Sequence, residues 1–206
     1  LLRARHADDA LESRSGAEPT GDHFEGTGLF EDDDSVSFRS SAAAEAQPPV
    51  TGVASTGDTN IDSLLAGVKW GGAAHAGVTL TFSFENSGST YLPGQHEPTN
   101  GFHELTEVQK AAARAALDYW SNVADVHFVE VADDDAGHGD IRFGRSNDPG
   151  TAYAYYPSSS ELGGDVWLGN THHGDTRTYE LGSYYFRTFT HEIGHVIGHH
   201  HAHQRT

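Results

Sequence analysis

Histidine and glutamate residues near the end of this 206-residue sequence have the spacing of a metal site. Residues 191–201 read H-E-x-x-H-x-x-G-x-x-H. Residues four apart on a helix lie on one face, with Cβ atoms about 5–6 Å apart. His191 and His195 are therefore predicted to offer two imidazole nitrogens to one Zn²⁺. Glu192 lies beside that face, within reach of a water on the metal, and is predicted to act as a general base and not as a ligand.

A third ligand is predicted just beyond this helix. Gly198 is expected to end the helix, because glycine readily adopts the left-handed conformation that a sharp turn requires. The turn would return His201 to the metal and leave a fourth position for water, as in catalytic zinc sites. If the turn does not form, His199, His200 or His203 are alternative ligands. The alternative to a metal site is a solvated helix end or a fortuitous histidine tail.

Two helices are predicted to position this site. Thr106 and Gln109 have the spacing of a capping box and begin a long first helix. Its apolar residues fall at helical spacing and are predicted to be core: Val108, Ala112, Ala115, Ala116, Tyr119, Trp120 and Val123. The second helix is predicted over about residues 182–197 and carries the H-E-x-x-H motif.

Apolar patterns predict the strands. Val78–Phe84 alternates apolar and hydroxyl residues, as half-buried strands do, and residues 126–131 and 140–143 are also predicted strands. Residues 151–156 are aromatic and end at Pro157, as an edge strand permits. The order predicts an α/β (α+β) domain, with a twisted mixed sheet of four to five strands packed under a long helix and a zinc-binding helix. A cleft should separate the edge strand from the zinc-binding helix.

Two loops contain groups that resemble ligands without the spacing of a site. The acidic run 133–135 with His138 is interpreted as a solvated turn, and calcium or zinc binding there is the alternative. His172 and His173 lie in a polar loop and are interpreted as surface residues, not as ligands.

Composition restricts the classes of function. The chain has 30 acidic and 12 basic residues and a formal net charge of −18, which argues against binding to nucleic acids or anionic membranes. It contains no cysteine, so disulfides and thiolate metal ligands are excluded and histidine is the natural nitrogen donor. No run approaches the roughly 20 apolar residues of a membrane span, so membrane insertion is not expected.

Residues 1–56 differ in composition from the rest of the chain. They are rich in Asp, Glu, Ser, Ala and Gly, and their sparse apolar residues show no sustained period. Such a segment cannot bury enough surface to offset its ordering entropy. We therefore predict a flexible acidic leader over residues 1–56, either propeptide-like or a disordered tail, and a catalytic domain over residues 57–206.

Several further segments resemble the serralysin branch of the metzincin zinc proteases. The extended histidine motif is the metzincin signature. The similar segments occur in the serralysin order and cover about residues 57–201: 60–70, 80–84, 140–144, 151–157, 163–168 and 188–190, followed by 191–201.

This resemblance implies a zinc-dependent endopeptidase of broad specificity. By the same likeness, His191, His195 and His201 would be the zinc ligands and Glu192 the general base. The resemblance also implies protein or peptide substrates, a monomer, and secretion from a bacterium. Serralysins have calcium-binding repeats in their C-terminal half, so Ca²⁺ is expected only in a part that this sequence lacks.

The chain also departs from the serralysin pattern. His199 and Ala202 stand where leucine and proline are usual, and the chain contains no Met, so the Met-containing turn beneath the zinc is absent. The tyrosine that follows that turn and the calcium-binding repeats are absent as well. We predict the N-terminal part of a protease catalytic domain, truncated or degenerate at its end. The alternatives are a catalytically impaired zinc-binding fragment and a secreted interaction domain without enzymatic activity.

Overall fold

The computed structural model describes residues 3–5 and 47–202, so the alternative ligand His203 and most of the predicted leader lie outside the described residues. The elements, in chain order, are β1 (Arg3–Arg5), β2 (Val50–Gly52), α1 (Thr59–Asp62), β3 (Val68–Trp70), β4 (Val78–Phe84), α2 (Glu107–Ser121), β5 (Val126–Glu130), β6 (Ile141–Ser146), β7 (Ala152–Tyr155), β8 (Val166–Gly169) and α3 (Tyr184–Val196). None of the described helices is both long and apolar enough to cross a membrane.

The main sheet is mixed and has the strand order β1-β7-β8-β6-β4-β5. Strands β5, β4, β6 and β8 are parallel, and β7 runs antiparallel to β8. These five strands confirm the predicted α/β class and strand number. β1 adds a short sixth strand, which pairs antiparallel with the outer side of β7 and places Ala4 opposite Ala154.

Helices α2 and α3 cover one side of this sheet, here called the helix face. Because side chains alternate along a strand, every second strand residue points to the helices. The core of the helix face is apolar and is formed by Leu80, Phe82, Ile141, Phe143, Val166 and Leu168 from the strands, and Ala113, Ala116, Leu117, Phe189, Ile193 and Val196 from the helices.

Helix α2 begins at the predicted capping box. The Gln109 side chain accepts the Thr106 N–H at 2.8 Å, and the Thr106 hydroxyl accepts the Gln109 N–H at 3.3 Å. The predicted core stripe is partly wrong, because Val108, Tyr119 and Val123 are 60%, 57% and 76% exposed. Helical spacing predicted a buried stripe that is wider than the one observed. The buried residues of this helix are mainly alanines. Val123 also lies beyond the last residue of the helix.

The opposite side of the sheet, here called the outer face, carries a second and smaller cluster. Tyr153, Tyr155 and Trp167 pack there against Tyr91, Phe102 and Leu162. Asp133 is buried at this face and accepts bonds from the Arg142 guanidinium at 2.8 and 3.0 Å and from the Ser83 hydroxyl at 2.7 Å. The interpretation of residues 133–135 as a solvated turn is therefore wrong for Asp133, whose charge has an arginine partner nine residues later.

The loop after β8 contains a buried histidine that packs against aromatic residues. His173 is fully buried, and its ring packs against Tyr179, Tyr185 and Phe189. Its carbonyl oxygen accepts bonds from Gln109 and Arg145, both at 2.7 Å. The interpretation of His173 as a surface residue is wrong, because aromatic residues further along the chain fold over it.

A small second sheet pairs β2 with β3 in antiparallel register, with Val50 opposite Trp70. The paired residues 50–52 fall within the segment that the sequence places in the leader. The ordered chain in the structure thus extends N-terminal of the boundary predicted at Gly57.

Candidate metal centre

Helix α3 presents the central part of the predicted site. The Ser183 hydroxyl caps the helix start by accepting the Phe186 N–H at 3.1 Å. Its inner stripe is buried in the helix face and consists of Phe186, Phe189, Ile193 and Val196. With that stripe fixed, His191 and His195 lie one turn apart at the helix surface, and Glu192 is fully buried beside them.

Gly198 forms the predicted turn after α3. Its φ of +104° lies in the region that disfavours residues with a Cβ. A Cβ built at this position would lie 2.4 Å from the carbonyl oxygen of Val68, so the position also lacks space. Glycine is required here for two independent reasons, of which the sequence indicated only the first.

The chain preceding β3 and the end of β3 hold this turn in place. The Ala66 N–H donates to the Gly198 carbonyl at 2.9 Å, and the His200 N–H donates to the Leu64 carbonyl at 2.7 Å. The Trp70 indole N–H donates to the last carbonyl of α3 at 2.8 Å. Sequence reasoning found this segment only through its family resemblance and missed its role. The one available signal was a large aromatic residue, Trp70, directly before the small residues 71–74.

The turn brings three imidazole nitrogens together, and we call them the nitrogen triangle. The Nε2 atoms of His191 and His195 are 3.0 Å apart, and each lies 2.9 Å from Nε2 of His201. Within the described part of the chain, this is the one group of three or more His, Cys, Asp or Glu side chains whose ligand atoms lie within 4.8 Å of one another.

The neighbouring histidines occupy other positions. The His199 ring packs against Trp120 at a centroid distance of 5.0 Å, and the His200 ring stacks on Tyr156 at 5.9 Å. Neither side chain belongs to the nitrogen triangle. Of the candidates within the described residues, the structure brings His201 to the pair on α3, as the spacing predicted.

The protonation state of His195 follows from its contacts. Its Nδ1 lies 2.8 Å from the carbonyl oxygen of His199, and because a carbonyl only accepts, Nδ1 must carry the hydrogen. Nε2 of the neutral ring is then a lone pair directed into the triangle. Burial lowers the pKa of His195 to about 3, so the ring is neutral over the physiological pH range. A neutral imidazole with a fixed tautomer is the form that binds metals.

Glu192 directly follows His191 on α3, and its side chain is fully buried. Its burial raises the pKa of the carboxyl group to about 8. A cation nearby would lower this pKa again by favouring the charged form. A bound cation would therefore bring the pKa of Glu192 closer to neutral pH, where a general base works well.

The outer edge of β7 is the second feature beside the triangle. The Tyr155 N–H points inward and donates to the Asp165 carbonyl at 2.9 Å. Backbone groups alternate in direction along a strand, so the N–H and C=O of Ala154 point to the outer edge. Within residues 47–202 β7 is the end of the sheet, and the short strand β1 pairs along its outer edge.

Comparison with known proteins agrees with this geometry. The serralysin of Proteus mirabilis is 38% identical over 110 residues, which are 47% of this chain and 22% of that protein. Metallopeptidase AprA of Pseudomonas marginalis is 36% identical over 126 residues, or 59% of this chain and 26% of that protein. The chain therefore spans about a quarter of the length of these curated relatives. The solved structure of myroilysin covers 59% of this chain and 48% of its own at 20% identity, and its TM-score of 0.39 is too low for a conclusion.

The family profile described as matrixin matches residues 84–206, which include α2, the sheet strands β5–β8 and the whole nitrogen triangle. This match and the serralysin relatives confirm the resemblance to serralysin-type metzincins that the sequence motifs indicated. By this match over more than half of its length, the chain belongs to the matrixin family of peptidases.

Proposed function

We propose that this protein is a zinc-dependent endopeptidase that hydrolyses peptide bonds in proteins with broad, serralysin-like specificity. One observation carries the proposal. Three Nε2 atoms converge to within 3.0 Å of one another, and Glu192, the residue after His191, is fully buried on the same helix.

His191, His195 and His201 are the residues that would hold the zinc ion. Their Nε2 atoms are close enough for one ion to reach all three at roughly 2.0–2.1 Å. The fit is also chemical, since lone pairs that face one another at 2.9–3.0 Å repel unless a cation or proton lies between them. When bound, zinc would polarise the scissile carbonyl and lower the pKa of the attacking water towards about 7.

Glu192 would be the general base. Its carboxylate would take one proton from the attacking water and then give a proton to the leaving nitrogen of the cleaved peptide. Its complete burial supports this role, because an enclosed carboxylate exchanges protons with the reacting groups and not with bulk water.

The outer edge of β7 would hold the substrate as an added strand. The outward backbone groups of Ala154 offer a donor and an acceptor to an extended peptide. The pairing of β1 along this edge supports the proposal, because it is the type of contact that a substrate would make. Backbone bonds do not read side chains, so this mode of binding favours broad specificity.

We also retain the proposal that residues 1–56 are a leader or propeptide-like segment ahead of a catalytic domain over residues 57–206. The position of β1 on the proposed substrate edge supports it. By resemblance to serralysins, the protein is proposed to be secreted by a bacterium and to act as a monomer.

The deciding experiment is Glu192→Gln in the full-length protein. We expect the variant to keep its fold and its zinc but to hydrolyse casein or a quenched fluorescent peptide about 10²–10⁴-fold more slowly. Glu180→Gln is the matched control, because it makes the same change at an exposed position just before α3 and should leave the rate unchanged. In a parallel variant, His195→Ala, metal analysis should show loss of zinc, since two nitrogens rarely retain it.

Three outcomes would contradict the proposal in different ways. A Gln variant as fast as the parent would show that Glu192 is not the base. A parent that binds about one zinc per chain but cleaves nothing would be the catalytically impaired zinc-binding fragment. A parent that binds no zinc would favour an interaction domain in which the histidines are incidental.

A further inference from the structure

Residues 53–66 lie against the turn that leads to His201, and they bury little apolar surface of their own. The side chains of Ile61 and Leu64 are 49% and 45% exposed. Asp62, in the short helix α1, is the one buried residue of this segment and is 5% exposed. Because apolar burial contributes little here, the position of the segment must depend on polar contacts, and foremost on those of Asp62.

The Asp62 carboxylate joins α1 to the residues that precede it. Its Oδ1 accepts the Thr56 N–H at 2.7 Å and the Thr56 hydroxyl at 2.8 Å. Its Oδ2 accepts the Ser55 hydroxyl and, at 3.3 Å, the Gly57 N–H. Hydrogen bonds to a charged acceptor are about twice as strong as those between neutral groups, so the two ends of the loop 55–62 are fixed to each other. Ser55 and Thr56 belong to the segment that the sequence places in the leader.

The residues after Asp62 reach the chain that leads to the third proposed zinc ligand. Leu65 lies opposite His199 in an isolated antiparallel bridge. Beside this bridge, the Leu64 carbonyl accepts the N–H of His200 at 2.7 Å. Leu64 is two residues after Asp62, and His200 directly precedes the proposed ligand. A single hydrogen bond thus connects the neighbourhood of the buried carboxylate with the backbone next to that ligand.

Helix α3 does not hold the third proposed ligand by itself. Along the turn, the N–H of His199 still donates back into α3, at 2.8 Å, whereas the next N–H, that of His200, donates to Leu64. The Trp70 indole bonds the carbonyl of Val196, which precedes the turn, so it fixes the end of the helix and not the chain beyond it. The position of the chain after the turn is therefore set by the segment that contains Leu64.

We propose that Asp62 is a positioning residue for the third zinc ligand, His201. By binding Ser55 and Thr56, its carboxylate keeps α1 in place. The Leu64 carbonyl, just after α1, then holds the backbone next to His201, so that the imidazole stays in the nitrogen triangle. This inference rests on the proposed function, because it takes His201 as a zinc ligand. It gives the last residues of the predicted leader a part in supporting the metal site.

The test compares Asp62→Asn with Asp58→Asn in the full-length protein. Asp58 is the exposed N-cap of the same helix, where its side chain accepts the Asn60 N–H at 2.8 Å, and asparagine caps a helix equally well. In Asp62→Asn we expect the Kd for Zn²⁺, measured by competition with a chelating dye, to rise about 10–100-fold, as when a group that orients a ligand is lost. Asp58→Asn should keep the parental Kd.

Amide hydrogen exchange of the metal-free protein shows whether the effect runs through the turn. The amides of Ala66 and His200 join the two segments. In Asp62→Asn they should exchange about tenfold faster, while the amide of Ile193 inside α3 keeps its parental rate. Thr56→Val removes one hydroxyl donor to the carboxylate and should cause a smaller change of the same kind.

A parental Kd in Asp62→Asn would overturn the proposal. A raised Kd with unchanged exchange at Ala66 and His200 would overturn it as well, because the effect would not run through the turn. Faster exchange that extends equally to Ile193 would show a general loss of stability and no specific positioning. Failure of the proposed function is distinguishable, since a parent that binds no Zn²⁺ would defeat that function, whereas exchange at Ala66 and His200 still shows whether Asp62 holds the turn.

Discussion

On the helix face of the sheet, β6 contributes Ile141 and Phe143 to the apolar core. On the outer face, the intervening residue of the same strand is Arg142, which is equally buried. Four buried carboxyl groups share that face with its aromatic cluster: Glu85, Glu97, Asp133 and Asp165. The two faces of this strand therefore border two different layers. The helix-face layer is stabilised by the removal of apolar surface from water, and the outer-face layer by ion pairs, hydrogen bonds and protonated carboxyl groups.

The charge balance on the outer face has three parts. Arg142 forms a bidentate ion pair with Asp133 and lies 3.8 Å from Glu85. Glu97 accepts hydroxyl hydrogen bonds from two tyrosines of β7, both at 2.6 Å. Burial raises the pKa of Glu85 and of Asp165 well above the ordinary range, so these two groups keep their protons to higher pH in the folded state than in the unfolded chain. The comparison predicts that the apolar side chains of the helix-face core contribute stability that does not depend on pH, whereas the buried carboxyl groups of the outer face contribute stability that does.

The largest effect should come from removing the cation of the outer face. Arg142→Met keeps much of the side-chain volume but leaves Asp133 charged, buried and unpaired. We expect a loss of about 3–5 kcal/mol in the free energy of unfolding, measured by urea denaturation. Adding Asp133→Asn to the variant should restore part of this loss, because the uncompensated charge is then gone. A loss below about 1 kcal/mol would mean that the pair is hydrated and that the two faces do not differ as described.

The second prediction concerns pH. Glu85 faces Asp165, Asp133, Arg142 and Tyr91 and is protonated in the folded state at pH values where an unfolded glutamate has lost its proton. The folded state then binds more protons, so the free energy of unfolding falls as pH rises from about 4.3 towards the raised pKa. Glu85→Gln cannot lose a proton. Its stability relative to the parent should therefore increase with pH, by up to about 1.4 kcal/mol per pH unit in that window.

Denaturant unfolding between about pH 4 and pH 9 measures this difference. Glu161→Gln, an exposed position, is the matched control and should differ from the parent by the same small amount at every pH. A Glu85→Gln variant whose stability follows the parent at all pH values would show that Glu85 is ionised in the folded protein.

The smallest effect is expected next to Arg142 on the helix face. Ile141→Val removes one buried methylene group and should lower the free energy of unfolding by about 0.5–1.5 kcal/mol. Because no charge is involved, the loss should be constant across the pH range in which Glu85→Gln varies. Val108→Ala, at an exposed position of α2, should change stability by no more than about 0.5 kcal/mol. A pH-dependent loss in Ile141→Val would show that the two faces are coupled.

Much of the helix face and of the candidate site could be predicted from the sequence, because both depend on short-range patterns along the chain. The spacing of His191, Glu192 and His195 on a helix, the capping box at Thr106 and the strand Val78–Phe84 are short-range patterns. Gly198 was identified for the same reason, since a left-handed turn is a property of a single residue.

The buried polar layer of the outer face could not be predicted from the sequence, because a polar residue that alternates with apolar ones along a strand has the pattern of a solvent-facing position. Whether Asp133 or Arg142 is exposed depends on partners elsewhere in the chain and on the segment that covers them. The burial of His173 has the same origin, since Gln109 bonds it from 64 residues away. Tyr156 is a third example, because its neighbours His195 and His200 lie on another element.

The bonds that hold the turn after α3 set the order in which the site can assemble. α3 aligns His191 and His195 locally, and helices form in less than about a microsecond. His201 reaches them only when the chain around Trp70 has docked, and the Trp70 indole bonds a carbonyl 126 residues later in the sequence. Such distant contacts are the slow ones in folding. We therefore expect the third nitrogen to arrive last, so that a nascent or partly unfolded chain presents two histidines but not the complete triangle.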